Sequence, residues 1–129
     1  TLLAREGQDA ERWNMLNPTA KTPRVPFVTQ SLQASQGPII AATDYMRTYA
    51  EQIRAFMPKD RGYKVLGTDG FGRSDTRAKL REFFEVNRYF VTIAALKSLS
   101  EAGAIEVDVV AKAIQKYAID PNKLNPVTQ

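Results

Sequence analysis

Two short apolar runs decide the fold: Ile39-Ile40-Ala41-Ala42 and Tyr63-Lys64-Val65-Leu66-Gly67. Each is too short for a helix and has the pattern of a strand buried on both faces. Between them Thr43 or Asp44 can cap a helix that places Met46, Tyr49, Ala50, Ile53 and Phe56 or Met57 on one stripe, and Pro58 ends it. Strand, helix, strand in this order predicts a right-handed parallel unit within an α/β layer fold.

Working outward, Gly37-Pro38 is a turn ahead of the first strand. Pro26 at a first helical position predicts a short helix through Phe27, Val28, Ser31 and Leu32. Three prolines (Pro18, Pro23, Pro26) mark residues 18–26 as an extended loop. Before it a helix carries Trp13, Leu16 and Met15, with Gly7 breaking its start, Asp9 as its cap and Asn17-Pro18 as its stop. Downstream, Ser74 or Asp75 caps a helix through Leu80, Phe83 and Phe84. Another runs from Asn87 to Gly103, burying Val91, Ala94 or Ala95, and Leu99. A third, about 107–118, spaces Val107, Val110, Ile114 and Tyr117 along one face, and the tail beyond Asp120-Pro121 is polar. Only two strands emerge, and two strands do not make an independent open sheet covered by helices. The expectation is that further strands are either hidden in the proline-rich part or lie upstream of residue 1, and in the latter case that a flank of 39–43 or 63–67 is unpaired and adhesive.

Composition narrows the chemistry. In 129 residues there is no Cys and no His. A disulfide framework is therefore impossible, and zinc, haem and iron–sulfur sites lose their usual ligands. Cys–His pairs and Ser–His–Asp triads are excluded within the chain. Apolar runs fall far short of the ~20 residues that cross a bilayer, so no membrane partner is expected. The opening residues, which lack an initiator Met, do not read as a signal peptide. Charge is 18 Lys+Arg against 14 Asp+Glu. The densest basic cluster, Arg73, Arg77, Lys79 and Arg81, reads as a solvated helix face rather than a phosphate or acidic-partner patch, and no nucleic-acid partner is expected. Glu82 and Glu85 read as surface partners for Arg81 and Arg88.

The remaining candidate is the turn Asp69-Gly70-Phe71-Gly72-Arg73-Ser74-Asp75, at the carboxyl end of the second strand, where α/β folds place ligands. Its glycines allow an unusual backbone. It lacks both the Gly-x-Gly-x-x-Gly spacing and the Lys-Ser/Thr of a phosphate loop. A structural turn, with Asp69 and Arg73 in local hydrogen bonds, and a surface for another domain or subunit both stay open.

Residues 65–77, Val65-Leu66-Gly67-Thr68-Asp69-Gly70-Phe71-Gly72-Arg73-Ser74-Asp75-Thr76-Arg77, with Leu80-Arg81-Glu82-Phe83-Phe84-Glu85-Val86-Asn87, resemble the C-terminal region of the homodimeric pyruvate dehydrogenases, the decarboxylating first components of bacterial pyruvate dehydrogenase complexes. Leu3-Ala4-Arg5-Glu6-Gly7-Gln8-Asp9, Glu11-Arg12-Trp13-Asn14, Thr22-Pro23-Arg24-Val25-Pro26, Thr43-Asp44-Tyr45-Met46 and Asn125-Pro126 are similar to the same family. The shorter core Asp69-x-Phe71-Gly72-x-Ser74 resembles the wider transketolase family. The resemblance implies a three-layer α/β/α domain with a mostly parallel sheet, of which residues 1–129 are the C-terminal portion. It implies a bacterial cytoplasmic enzyme that decarboxylates pyruvate and passes the acetyl group to a lipoyl-bearing acetyltransferase core. Thiamine diphosphate and magnesium would be bound by domains outside this chain. Upstream domains and a homodimer partner would be its neighbours, and no catalytic residue carries over. Against this stand a phosphate- or ligand-binding α/β module and a basic interaction domain.

Overall fold

A computed structural model describes residues 1–70 and 72–128. Helices α1 (Leu2–Leu16) and α2 (Phe27–Gln33) precede strand β1 (Ile39–Ala42). Helix α3 (Arg47–Glu51) and a 3-10 turn (Arg54–Phe56) lead to β2 (Tyr63–Leu66). Helices α4 (Arg77–Phe83), α5 (Arg88–Glu101) and α6 (Val107–Lys116) follow, with a last 3-10 turn at Pro126–Thr128.

The two strands pair in parallel, Ile39 beside Tyr63 and Ala42 beside Leu66. Flanking bonds from Ile39 N to the Gly62 carbonyl (2.7 Å) and from Thr43 N to the Leu66 carbonyl (3.0 Å) close the ladder at both ends. Side chains alternate across the ribbon. Ile40 and Leu66 pack toward α5 in a core with Phe84, Val86 and Ala94. Tyr63 points the other way, where its hydroxyl donates to the Ala50 carbonyl of α3 (2.6 Å). The arrangement is helix on sheet on helix, as expected for an α/β layer fold. The strands are less buried than their composition predicts: β1 is half-buried and exposed at Ala42, and Lys64 of β2 is exposed. Among the described residues each strand has one neighbour, so its outer edge is open.

Several local expectations are corrected. Gly7 does not break α1 but lies within it, and Asp9 caps nothing. The buried face of α1 is Ala4, Gly7 and Ala10, while Met15 and Leu16 are exposed. Small residues are needed there because the Phe56 ring lies against the helix, and a Cβ on Gly7 would sit 2.7 Å from it. Gly costs a helix interior ~1 kcal/mol relative to Ala, and burial of a Phe ring returns ~1.5–3 kcal/mol. The helix expected from residue 44 to 57 is shorter and tightens into 3-10 geometry. The Tyr63 hydroxyl competes for the Ala50 carbonyl that a continuing helix would offer to Arg54 N, and Phe56 thereby turns inward. Met46 and Tyr49, expected on the apolar stripe, are exposed. Met46 is the N-cap residue that precedes α3 and makes no side-chain cap bond, and Thr43 instead accepts from Tyr45 N (3.1 Å).

Helix α5 follows its sequence signals closely. Asn87 accepts from Phe90 N (3.1 Å) at its start. Gly103, at φ +77°, closes its end with bonds from Gly103 N to Ser100 and from Ala104 N to Leu99. In α6, Val110 is buried but Val107, expected on the same face, is exposed.

Candidate functional site

Parallel pairing brings the carboxyl ends of β1 and β2 to one side, with Thr43-Asp44 after the first strand and Thr68-Asp69 after the second. There the chain is tied back on itself. Thr68 N donates to the Tyr45 carbonyl (2.9 Å) and the Thr68 hydroxyl to the Asp44 carbonyl (2.8 Å). Gly67 is buried between these strands of chain, and a Cβ would meet Arg47 N at 2.8 Å and Tyr45 O at 2.9 Å.

Asp69 and Arg73 are not tied in local hydrogen bonds, which corrects the expectation. Asp69 Oδ2 accepts from Arg47 N (3.3 Å) and lies 3.4 Å from Arg47 Nε. That Nε is buried without an aligned acceptor, so the pairing is ionic more than directional. The Arg73 guanidinium lies over the Phe83 ring of α4, 4.1 Å from its centroid. Of the two glycines, only Gly70 needs glycine's freedom, at φ +111° and with a Cβ position 2.9 Å from the Pro126 carbonyl. Gly72 has open space around it. Phe71 lies outside the described residues. The cap of α4 is neither Ser74 nor Asp75 but Thr76, whose hydroxyl accepts from Lys79 N (3.3 Å). Asp75 instead accepts from Thr76 N (2.8 Å), and Ser74 is exposed.

The basic cluster disperses. Arg81 pairs with Asp44 through two hydrogen bonds, at 3.0 and 3.3 Å. These bonds hold the Asp44 carboxyl below the usual aspartate range and push the Arg81 guanidinium up. The pair separates two open grooves. One, about 660 Å³, is lined by Ala42, Thr43, Asn87 and Arg88. The other, about 360 Å³, is lined by Thr68, Asp75, Arg77 and Phe84. Arg88 donates to the Tyr89 hydroxyl and Glu85 bonds Lys123 (3.3 Å), so the expected pairing of Glu82 and Glu85 with Arg81 and Arg88 does not form.

Lys123 and Pro126 were hidden in a polar tail, yet they reach this region. Lys123 Nζ donates to the Phe83 carbonyl (2.8 Å), an acceptor left free at the end of α4. Glu85 occupies the left-handed region at φ +62°, where a helix ordinarily ends in glycine. No sequence signal marks that position, because the conformation is imposed by the bond from Val86 N to the Arg81 carbonyl (2.9 Å).

Among the described residues no group of three or more carboxylates could hold a metal ion. Asp44, Glu51, Asp69 and Glu85 are each engaged by a cation. The described residues thus offer no carboxylate cluster for a magnesium ion. Among the described residues no helix is long and apolar enough to cross a membrane.

A parallel strand–helix–strand unit with a glycine turn at its carboxyl end, packed between helices, is the architecture of an α/β layer domain. Residues 2–87 match the model of the transketolase-like TK C-terminal domain, and the chain belongs to that family. Over nearly its whole length it is also similar to the pyruvate dehydrogenase E1 component. Identity is 63% over 128 residues with that of Cupriavidus necator, 57% over 125 with that of Pseudomonas aeruginosa and 54% over 126 with that of Escherichia coli K12. The matches cover 99, 97 and 98% of this chain, which spans 14% of the length of each relative.

Proposed function

We propose that the chain is the C-terminal portion of the third, transketolase-like domain of a pyruvate dehydrogenase first component. In the longer polypeptide it supports the upstream domains and the homodimer while the reacting groups are supplied elsewhere. The full enzyme decarboxylates pyruvate in the bacterial cytoplasm and transfers the acetyl group to the lipoyl-bearing acetyltransferase core. Thiamine diphosphate and magnesium are held outside these residues. The observation that carries this reading is 63% identity along 99% of the chain. The engaged carboxylates and the absence of His and Cys agree with a supporting role. The open outer edges of β1 and β2 supply places for further strands of the same sheet. The turn 69–75 serves as a structural joint, because Asp69 and Gly70 are each engaged by distant parts of the chain.

The test divides the polypeptide and recombines it. The isolated 129 residues are expected neither to bind thiamine diphosphate nor to decarboxylate pyruvate. The remainder alone is expected to lose dimerisation and activity, and co-expression of the two parts to restore both. Turnover by the isolated chain, or a fully active dimer without it, would overturn the proposal.

A further inference from the structure

The C-terminal residues form a second layer over the glycine turn, with specific attachments. Lys123 Nζ is bonded to the Phe83 carbonyl and to the Glu85 carboxylate, and it also lies 5.3 Å from the Phe83 ring centroid. Arg73, from the turn, engages the same ring at 4.1 Å. Three residues beyond Lys123, buried Pro126 presents its carbonyl to Gly70 so closely that no side chain fits between them. Asn125 shapes this stretch by accepting from Val127 N (3.0 Å). The start of the turn is also tied through Thr68 and Asp69 to Tyr45, Asp44 and Arg47, whereas its second half is held less. Among the described residues, 72–75 make no backbone-to-backbone hydrogen bond, and all four are exposed.

We propose that residues 120–128 are a strap that holds the turn 68–76 in place, with Lys123 as its latch and Phe83 as the anchor that strap and turn share. A cation at the end of α4 is favoured both by the free carbonyl and by the helix dipole. Neutralising Lys123 removes that attraction, the Glu85 ion pair and the contact with the ring together. Left-handed Glu85 is part of the device, since its backbone directs the carboxylate to the latch at a conformational cost that non-glycine residues rarely bear. The strap makes the turn's conformation answerable to whatever engages the last residues. Its basis is the chain's own geometry, and it holds whichever reaction the longer polypeptide performs.

Trypsin reads this directly, because Arg73 lies in the turn while Lys21 lies in the distant 18–26 loop. In the full polypeptide that carries these residues, cleavage after each is followed by peptide-resolved mass spectrometry. Lys123→Met is expected to speed cleavage after Arg73 about tenfold by raising the open population, with cleavage after Lys21 unchanged. Lys123→Arg, which keeps the charge, restores protection. Gly70→Ala, which pushes Pro126 away, gives the same selective rise, and Gly72→Ala gives none. The double variant Lys123→Met with Gly70→Ala rises no further than either alone, because the two act on one attachment. Should Lys123→Met fail to fold, Lys123→Gln and Gly70→Ala carry the same comparison. Unchanged cleavage after Arg73, a parallel rise at both sites, or multiplying effects in the double variant overturns the strap.

Discussion

Two irregular segments of similar length are held in opposite ways. The proline-rich stretch 17–26 is secured by the helix just before it. Asn14 of α1 both donates to the Arg24 carbonyl and accepts from Arg24 N, each at 2.8 Å. The Arg24 guanidinium covers the Trp13 ring at 4.4 Å, and Glu6 accepts from Phe27 N (2.8 Å) as the chain enters α2. The glycine turn 67–76 is secured instead by distant parts of the chain: Tyr45 and Arg47 on one side, Pro126 on the other. A segment tied to its neighbours needs little loop closure to form. A segment tied across the fold is ordered only when the strands, α4 and the C-terminal residues are all in place, and it is the first to respond when one of them shifts.

The largest expected effect tests the long-range side. Gly67→Ala forces a Cβ against backbone atoms of Tyr45 and Arg47, which cannot move without parting the two strand ends. A loss of ~3 kcal/mol in urea unfolding is expected, at the upper end for overpacking. A neutral result would show that the junction is looser than its contacts indicate. Asn14→Ala tests the local side and should cost ~1–2 kcal/mol for two hydrogen bonds. Faster trypsin cleavage after Lys21, with cleavage after Arg73 unaltered, is the accompanying signature. If both sites respond, the two segments are coupled and the contrast fails.

Glu85→Gly sharpens the comparison because two effects oppose. Relief of the left-handed conformation returns ~1 kcal/mol, and loss of a partly exposed partner for Lys123 removes ~0–1 kcal/mol. Overall stability should therefore change little while cleavage after Arg73 rises. The smallest effect is the acid limb of Asp44. Its hydrogen bonds to Arg81 lower its folded pKa, so its contribution is complete above the ordinary aspartate value of ~3.9 and is lost as pH falls through the folded value. Asp44→Asn should flatten that limb slightly, since both partners are well exposed. An unchanged acid profile would mean that the pair contributes nothing to stability.

Legibility in the sequence followed the same division. The strands, the start of α5 near Asn87 and its stop at Gly103 were readable because each depends on residues within a few positions. The cap of α4 was displaced by one or two residues, since Ser74, Asp75 and Thr76 are all competent and only the path of the turn chooses among them. Gly7 was misread because glycine in a helix signals a break unless a ring from far away, here that of Phe56, requires the space. The turn was found as a candidate, but its attachments were not. Arg47 lies 22 residues from Asp69, and Lys123 lies 38 residues from Glu85. No local pattern encodes those distances.

By itself the sequence excluded several kinds of site and pointed to the family. Without His or Cys the usual nucleophile, base and soft-metal sites cannot be built, and the parallel unit with its glycine turn is written in contiguous residues. Tertiary structure decided which glycine is indispensable, which cation guards which carboxylate, and that a polar tail folds back over the turn. Those outcomes depend on close approach between segments remote in the chain. Such contacts form only after the helices and the sheet have been packed together.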